Sequence, residues 1–267
     1  YLRKCKSCKL AFVGRVPREE ELQAFYSQYS YARTQWLSPI TRKRYQELLV
    51  EFEPFRKTGR ILDSGCGAGF FLEEAKAAGW EVWGTEYSDE AIKLCTEKGI
   101  SMHHGSLQNA PFEPGFFDVV TSFEVIEHLH HVKDEAQSFH KLLRTGGLLY
   151  CTTPNFNAIS RYFLKDRYNV IGYPEHLTYF TPRSIHALFS SNGFRKKSLT
   201  TTGISITRIK KSLGKSQQAF ISPQSDDEQL RKKMEEKWHW KVAKLLANGV
   251  LGLTGKGVTL KAYYIKK

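Results

Sequence analysis

The sequence predicts an α/β fold, a doubly wound sheet whose strands run mostly parallel. Three observations predict it. From residue 60 onward short apolar runs alternate with amphipathic stretches, and glycines or an Asn-Gly pair stop those stretches. One apolar run, ILDS (61–64), also feeds directly into the closely spaced glycines of GCGAG (65–69). Strand and helix in alternation bring parallel strands side by side with helices on their faces.

Ahead of this core, residues 17–58 read as largely helical, because Pro17-Arg18-Glu19-Glu20 places proline and acids in a first helical turn. The aromatic SQYSYARTQW (27–36) interrupts that helix. Strand 60–64 follows, then helix 69–78 stopped at Gly79, strand 81–86, and helix 89–98 capped by Ser88 and stopped at Gly99. Apolar runs at 100–104, 117–123 and 147–153 supply more strands, with a helix near 134–144 before Gly146-Gly147. Thr181-Pro182 opens another helix, Asn192-Gly193 ends it, and a strand near 194–203 comes next.

Residues 204–256 read as an insertion before the final strand VTLKAYYIKK (258–267). Its first half is polar. Its second half is a helix opened by a capping box, Ser225-x-x-Glu228, with Leu230, Met234, Trp238, Val242 and Leu245 on one face. That face is expected to pack on the main domain, and peripheral contact of Trp238 and Trp240 with a membrane surface is the alternative. The chain thus divides into a cap (1–58), a core (59–203), the insertion (204–256) and a returning strand (257–267).

Gly65, Gly67 and Gly69 form a G-x-G-x-G turn in which backbone without Cβ atoms bends sharply and approaches a ligand closely. Glu86, ending the next strand 21 positions after Gly65, suits a ribose diol. The nicotinamide fingerprint G-x-G-x-x-G requires glycine at position 70, where Phe70 stands. With Asp63 closing the first strand, the pattern D-x-G-x-G-x-G, the acid Glu86, and then FFDVVTSFEVIEHL and LLRTGGLLYCTTPN resemble the class I S-adenosylmethionine-dependent methyltransferases over roughly residues 59–203 and the last strand.

That resemblance implies a Rossmann-like seven-stranded sheet with an antiparallel last strand, and S-adenosylmethionine as cofactor with S-adenosylhomocysteine as product. It also implies roles. Gly65 to Gly69, with Cys66 and Gly67 between them, wrap the methionine part, Glu86 holds both ribose hydroxyls, Ser106 and Leu107 meet the adenine edge, Phe123 lies near the transferring methyl, and Asp63 and Tyr87 also belong to the cofactor site. Related enzymes often carry Asp where Ser106 stands. Aromatic residues ahead of the glycine motif, here Tyr29, Tyr31 and Trp36, belong to a lid over the cofactor or to the core.

FEVIEHL (123–129) sets Glu124, Glu127 and His128 at i, i+3 and i+4, on one face of a helical turn. In ubiquinone-biosynthesis O-methyltransferases a similar E-x-x-E-H carries a divalent metal near the acceptor. The same motif elsewhere caps a helix or orients backbone groups, and that reading is preferred here, so no metal is assigned. His128 and His176 are the candidate general bases, because imidazole titrates near neutrality; backbone-bonded structural histidines are the alternative. The acceptor pocket is expected between Phe123, His128, Tyr173 and His176, at the carboxyl edge of the strands.

Composition bounds the rest. The chain has 267 residues, 41% of them apolar, enough for one large domain with appendages, and its first residues lack the apolar run of a signal peptide. With no apolar stretch long enough to span a bilayer, the expectation is a cytoplasmic enzyme. The five cysteines form no disulfide framework. Cys5-x-x-Cys8 offers two of the four ligands of a tetrahedral zinc site. In the bacterial methyltransferases the chain resembles, a zinc ribbon with two such pairs precedes this phrase, which implies a first pair upstream of Tyr1; as it stands the pair reads as two reduced surface cysteines.

The net charge of +13 is uneven. Residues 1–60 carry 13 Lys and Arg against 6 Asp and Glu, residues 61–194 carry 10 against 16, and residues 195–267 carry 17 against 5. Basic flanks favour phosphate-bearing partners or are simply solvated. The expected function is methyl transfer to a small-molecule or carrier-linked acceptor, open to an anionic one, at oxygen. Alternatives are a sugar C-methyltransferase, an RNA methyltransferase and a non-catalytic binding module; nucleic acid is disfavoured because no D/N-P-P-Y/F tetrad occurs, and nothing in the sequence sets an oligomeric state.

Overall fold

The computed structural model describes residues 2–18, 20–21, 36–214, 226–236 and 238–267. Its centre is a seven-stranded sheet in the order β5-β4-β3-β6-β7-β10-β9, formed by β3 (Arg60–Ser64), β4 (Glu81–Glu86), β5 (Ser101–His104), β6 (Phe117–Phe123), β7 (Leu143–Pro154), β9 (Phe194–Thr202) and β10 (Thr259–Lys266). The first five of these run parallel, while β10 is antiparallel to both β7 and β9. Because the order reverses between β3 and β6, the loops after these strands splay apart and open a crevice at their carboxyl ends.

The predicted strands and helices of this core lie where the sequence puts them, to within a few residues. Val119, Val120, Leu148 and Leu149 are buried, as central parallel strands covered on both faces require. One apolar cluster joins Leu62, Val120, Phe139, Phe180, Phe189 and Tyr264, and a second joins Phe52, Ile61, Phe71, Trp80 and Tyr150. Asp118 at the start of β6 accepts hydrogen bonds from the Lys57, Thr58 and Gly59 amides, so the entry into β3 is tied to its neighbour.

The N-terminal segment departs from expectation. Pro17 and Arg18 are not helical, Glu20 and Glu21 are, and further along α1 covers Pro39–Phe52, with Pro39 at its first position and the Ser38 hydroxyl accepting the Ile40 amide. Tyr29 and Tyr31 lie outside the described residues. Before them a hairpin of β1 (Leu2–Lys4) and β2 (Ala11–Val13) pairs through β2 with β8 (Thr178–Tyr179), making a second sheet of three short strands. Cys5 and Cys8 sit in the turn of that hairpin, both as free thiols.

The insertion also differs. After α7 (Ile206–Ser212) the insertion is helical over α8 (Asp226–Glu236) and α9 (Trp238–Thr254), and residue 237 between them lies outside the described residues. Trp238 and Leu245 are 76% and 73% exposed, so the predicted stripe does not pack on the domain. The polar anchors of α9 are at its other end: Thr201 donates to the Leu251 carbonyl at 2.6 Å and the Gly203 amide to Asn248 Oδ1 at 2.9 Å, which buries Leu251 against β9. Ser225 is outside the described residues; Glu228 is buried and accepts the Ser38 hydroxyl at 2.6 Å, linking α8 to the start of α1. Among the described residues no helix is long and apolar enough to cross a membrane.

Candidate functional site

The glycine turn leaves β3 through three left-handed residues, with φ of 69° at Gly65, 52° at Gly67 and 73° at Gly69. Each conformation is one that side-chain-bearing residues avoid. A Cβ on Gly65 would lie 2.7 Å from a Val125 methyl, and one on Gly69 2.7 Å from Cys95 Sγ. Gly69 opens α2 (Phe70–Ala77). The Gly65 and Cys66 amides both bond the Thr85 carbonyl, so the turn is laced to the end of β4.

Glu86 completes that lacing. Its Oε2 accepts the Gly67 amide at 3.0 Å, and its Oε1 accepts the Tyr87 amide at 2.8 Å and the Ser88 amide at 3.3 Å. With three of the carboxylate's roughly four lone-pair sites taken by amides, Oε2 keeps one with which to accept a ribose hydroxyl. A left-handed glycine turn in which a Cβ at 65 or 69 would collide with Val125 or Cys95, next to an acid fixed at a strand end, fits the adenosyl and methionine parts of the implied cofactor. Asp63, buried one strand away, accepts the Thr121 hydroxyl at 2.7 Å; burial pushes its carboxyl up to about 7, with Glu86 adding to the effect and Thr121 opposing it.

Cys66 enters this site only through its backbone. Its Sγ points behind the turn, 4.0 Å from Cys95 Sγ and 3.9 Å from Met102 Sδ. Tyr87 is largely exposed at the rim, with Ser106 beside its phenol. Leu107 is buried in the single turn Leu107–Asn109 that Ser106 precedes. Phe123, at the carboxyl end of β6, packs on Phe71 at 4.9 Å, Tyr150 at 5.4 Å and Tyr45 at 5.6 Å between ring centroids. Tyr45 comes from α1, so that helix covers this end of the crevice; Trp36 is half-buried ahead of it.

Beyond Phe123 the chain turns sharply. Glu124 has φ of 54° and residues Ile126–His128 form a single tight turn, so Glu124, Glu127 and His128 do not share an α-helical face. Instead the segment before β8 folds over the turn: the Leu177 amide bonds the Glu127 carbonyl at 2.8 Å and the Thr178 hydroxyl the Ile126 carbonyl at 3.1 Å. This brings His176 to His128, their rings edge to face at 4.9 Å. His128 Nδ1 bonds the Glu175 carbonyl at 2.8 Å and His176 Nδ1 the Val170 carbonyl at 2.6 Å. Since carbonyls only accept, both Nδ1 atoms carry the proton and both Nε2 atoms the lone pair. Burial lowers both pKa values, His176 adding to the effect at His128, so the rings are neutral bases near pH 7.

Glu127 is buried beside them and accepts the Thr153 hydroxyl at 2.8 Å; burial, and then Glu124, pushes its carboxyl well up. One ligand atom from each of Glu127, His128 and His176 falls within 4.8 Å of the others, a cluster able to hold a cation. Glu124 is exposed and is not part of it. Tyr173 lines a groove with Val13 and Tyr179, and its hydroxyl donates to Glu21.

The sequence reading missed Tyr45 and Glu135. Glu135 lies on α4 (Val132–Leu142), where it shares the buried stripe with Val132, Ala136, Phe139 and Leu142. It accepts the Ser64 hydroxyl and the Gln108 amide, both at 2.9 Å, joining the end of β3 to the turn after Ser106. An acid on an otherwise apolar stripe was the available signal.

Comparison with known proteins agrees with this arrangement. The model of a methyltransferase-domain family matches residues 37–199, more than half of the chain. The ubiquinone biosynthesis O-methyltransferase of Aromatoleum aromaticum is 32% identical over 134 residues, 48% of this chain and 55% of that enzyme. The enzyme of the same name from Nitrosomonas europaea is 32% identical over 133 residues, 47% of this chain and 54% of its own length. The chain therefore spans about half the length of these curated relatives. Among solved structures, a geranyl diphosphate C-methyltransferase from Streptomyces coelicolor superposes with a TM-score of 0.56 at 14% identity, covering 84% of this chain and 79% of that one. An S-adenosylmethionine-dependent methyltransferase from Archaeoglobus fulgidus gives 0.56 at 17% identity, over 84% and 94%. At such identities the likeness is one of fold. With the family match over 37–199 and the glycine turn, Glu86 and the seven-stranded order in hand, the chain belongs to the methyltransferase-domain family, in the class I S-adenosylmethionine-dependent group.

Proposed function

We propose that this chain transfers a methyl group from S-adenosylmethionine to a hydroxyl oxygen of a small or carrier-linked acceptor. The observation that carries the reading is the pair of neutral imidazoles of half-buried His128 and buried His176, edge to face and each with its Nδ1 proton committed to a backbone carbonyl. When bound, the cofactor supplies a sulfonium methyl that is already electrophilic, so the protein's part is alignment and acceptance of a proton. Gly65 to Gly69 and Glu86 hold and orient the cofactor, Phe123 and Tyr45 wall the crevice against water, and an Nε2 atom takes the hydroxyl proton as the new bond forms.

Incubation of the protein with methyl-labelled cofactor and candidate acceptors, followed by mass spectrometry, tests this. Label at oxygen supports the reading. Label at the carbon of a nucleotide-linked sugar, or on RNA, replaces it with the corresponding alternative, and no transfer to any acceptor removes it.

A second reading rests on the Glu127, His128 and His176 cluster, which fits a divalent cation that would hold an acceptor oxygen as its anion. Under that reading a chelator abolishes turnover and magnesium or manganese restores it. Turnover unaffected by chelator leaves the imidazoles acting alone.

A further inference from the structure

Five basic residues line one groove, the Lys9 ammonium among them donating to the Lys6 carbonyl at 2.6 Å. Arg3, Lys4 and Lys9 of the β1–β2 hairpin, Arg161 of α5 (Ile159–Leu164) and Arg183 at the start of α6 (Pro182–Ser191) line a cavity of about 780 Å³, and no acidic residue lines it. None of the five forms an ion pair with a carboxylate among the described residues. The volume is that of a small-molecule site. Clustered cations without counter-charges repel one another, and an anion relieves that repulsion.

Arg161 is the most informative member. Its guanidinium lies 4.1 Å over the Phe156 ring, which holds it in place, yet its buried Nε has no hydrogen-bond partner. A buried donor left unmade is costly, and a planar guanidinium presents its donors as a fork suited to phosphate oxygens. The positive end of the ten-residue helix α6 opens into the same groove at Thr181-Pro182-Arg183. At the rim, Lys256 adds a sixth cation: its ammonium bonds Asn157 Oδ1 at 3.1 Å and the Tyr162 hydroxyl at 3.0 Å.

Position relates the groove to the crevice. Phe156 and Asn157 follow β7 directly and Thr201 lies near the end of β9, so the groove opens at the same edge of the large sheet as Phe123 on β6. At about 4.8 Å per strand, β10 and β9 lie roughly 10–15 Å along that edge from β6. That is the span of an extended small molecule with a reacting group at one end and a charged group at the other.

We propose that this groove binds a phosphate or diphosphate ester and so receives the charged end of the acceptor. Only the word acceptor rests on the methyltransferase reading; the anion site stands on its own residues. The test is titration calorimetry of the full chain with inorganic pyrophosphate, with a nucleoside diphosphate and, by co-sedimentation, with vesicles containing an anionic phospholipid. S-adenosylhomocysteine is titrated in the same preparations.

Wild type should bind at least one of these phosphate probes, more weakly as salt rises. Arg161→Gln and Arg183→Gln should each weaken it about tenfold or more while S-adenosylhomocysteine affinity stays unchanged. A soluble diphosphate that binds assigns a soluble ester; vesicles that alone bind, through the same two arginines, assign a lipid headgroup. No phosphate probe bound, or binding indifferent to both variants, overturns the proposal. Arg183 is exposed at a helix start, so its variant tests the site even where Arg161→Gln fails to fold. Loss of S-adenosylhomocysteine binding with pyrophosphate binding intact would instead remove the methyltransferase reading and leave the anion site in place.

Discussion

His128 and His176 meet edge to face with ring centroids 4.9 Å apart, each anchored by Nδ1 to a carbonyl of the segment before β8. One residue comes from the turn after β6 and the other from a loop held to that turn by the Leu177 amide and the Thr178 hydroxyl, so the pair exists only when the loop is docked. Their shared burial keeps both rings neutral, which is the state a proton acceptor needs.

Replacing His176 by alanine should lower kcat by about 10²-fold, the usual worth of a general base. S-adenosylhomocysteine affinity should stay unchanged, because the glycine turn and Glu86 lie on other strands. Turnover within a few fold of wild type would make His176 a structural imidazole that only fixes the loop through Val170.

Glu86→Ala should weaken S-adenosylhomocysteine by about 1.5–3 kcal/mol in calorimetry, the range for hydrogen bonds to a charged group. The loss combines the ribose contact with release of the Gly67, Tyr87 and Ser88 amides that the carboxylate collects. Glu86→Gln keeps one acceptor oxygen and should fall between the two. Equal affinity in all three proteins would remove Glu86 from the site.

Gly69→Ala should destabilise the fold by about 1–3 kcal/mol, as a left-handed residue without glycine's freedom and with its Cβ against Cys95 and Ile100. Urea unfolding at a fixed pH measures it. Gly69→Ala with Cys95→Ala should recover part of the loss by removing the sulfur 2.7 Å from the new Cβ; no recovery would locate the whole cost in the backbone.

Burial pushes the Glu135 carboxyl up to about 7 from an ordinary 4.5, against the opposing Ser64 and Gln108 hydrogen bonds. The folded state therefore keeps a proton that the unfolded chain releases between those values. This contribution to stability is complete below about 4.5 and is lost as pH rises through about 7, at a cost of about 3 kcal/mol. Glu135→Gln should consequently lose less stability than wild type between pH 5 and pH 8, with a residual slope from Asp63, which titrates in the same range. Parallel slopes in urea unfolding would show that Glu135 stays ionised in the folded protein.

The core was legible in the sequence because its signals are local. Glycines at 65, 67 and 69 are demanded by left-handed backbone at those very residues, Glu86 ends its strand, and Gly79, Gly99 and Gly193 end helices with positive φ. Alternating apolar runs then leave a parallel sheet as the one way to bury both faces of each strand.

What tertiary structure decided is everything carried by contacts between distant segments. No local pattern marks β1, β2 and β8 as one sheet, because three strands of two or three residues each are defined by their pairing and not by periodicity. The tight turn at 126–128 replaced the expected helical face, and the docking of residues 176–178 on it exchanged Glu124 for His176 in the cluster. Trp238 and Leu245 share a helical stripe in sequence, but burial of that stripe depends on where α9 is anchored, and Thr201 and Gly203 anchor its far end. The groove lined by Arg3, Arg161 and Arg183 is the same case: residues from three elements whose charges meet only after the hairpin pairs with β8, because electrostatic neighbours are set by distance in space and not along the chain.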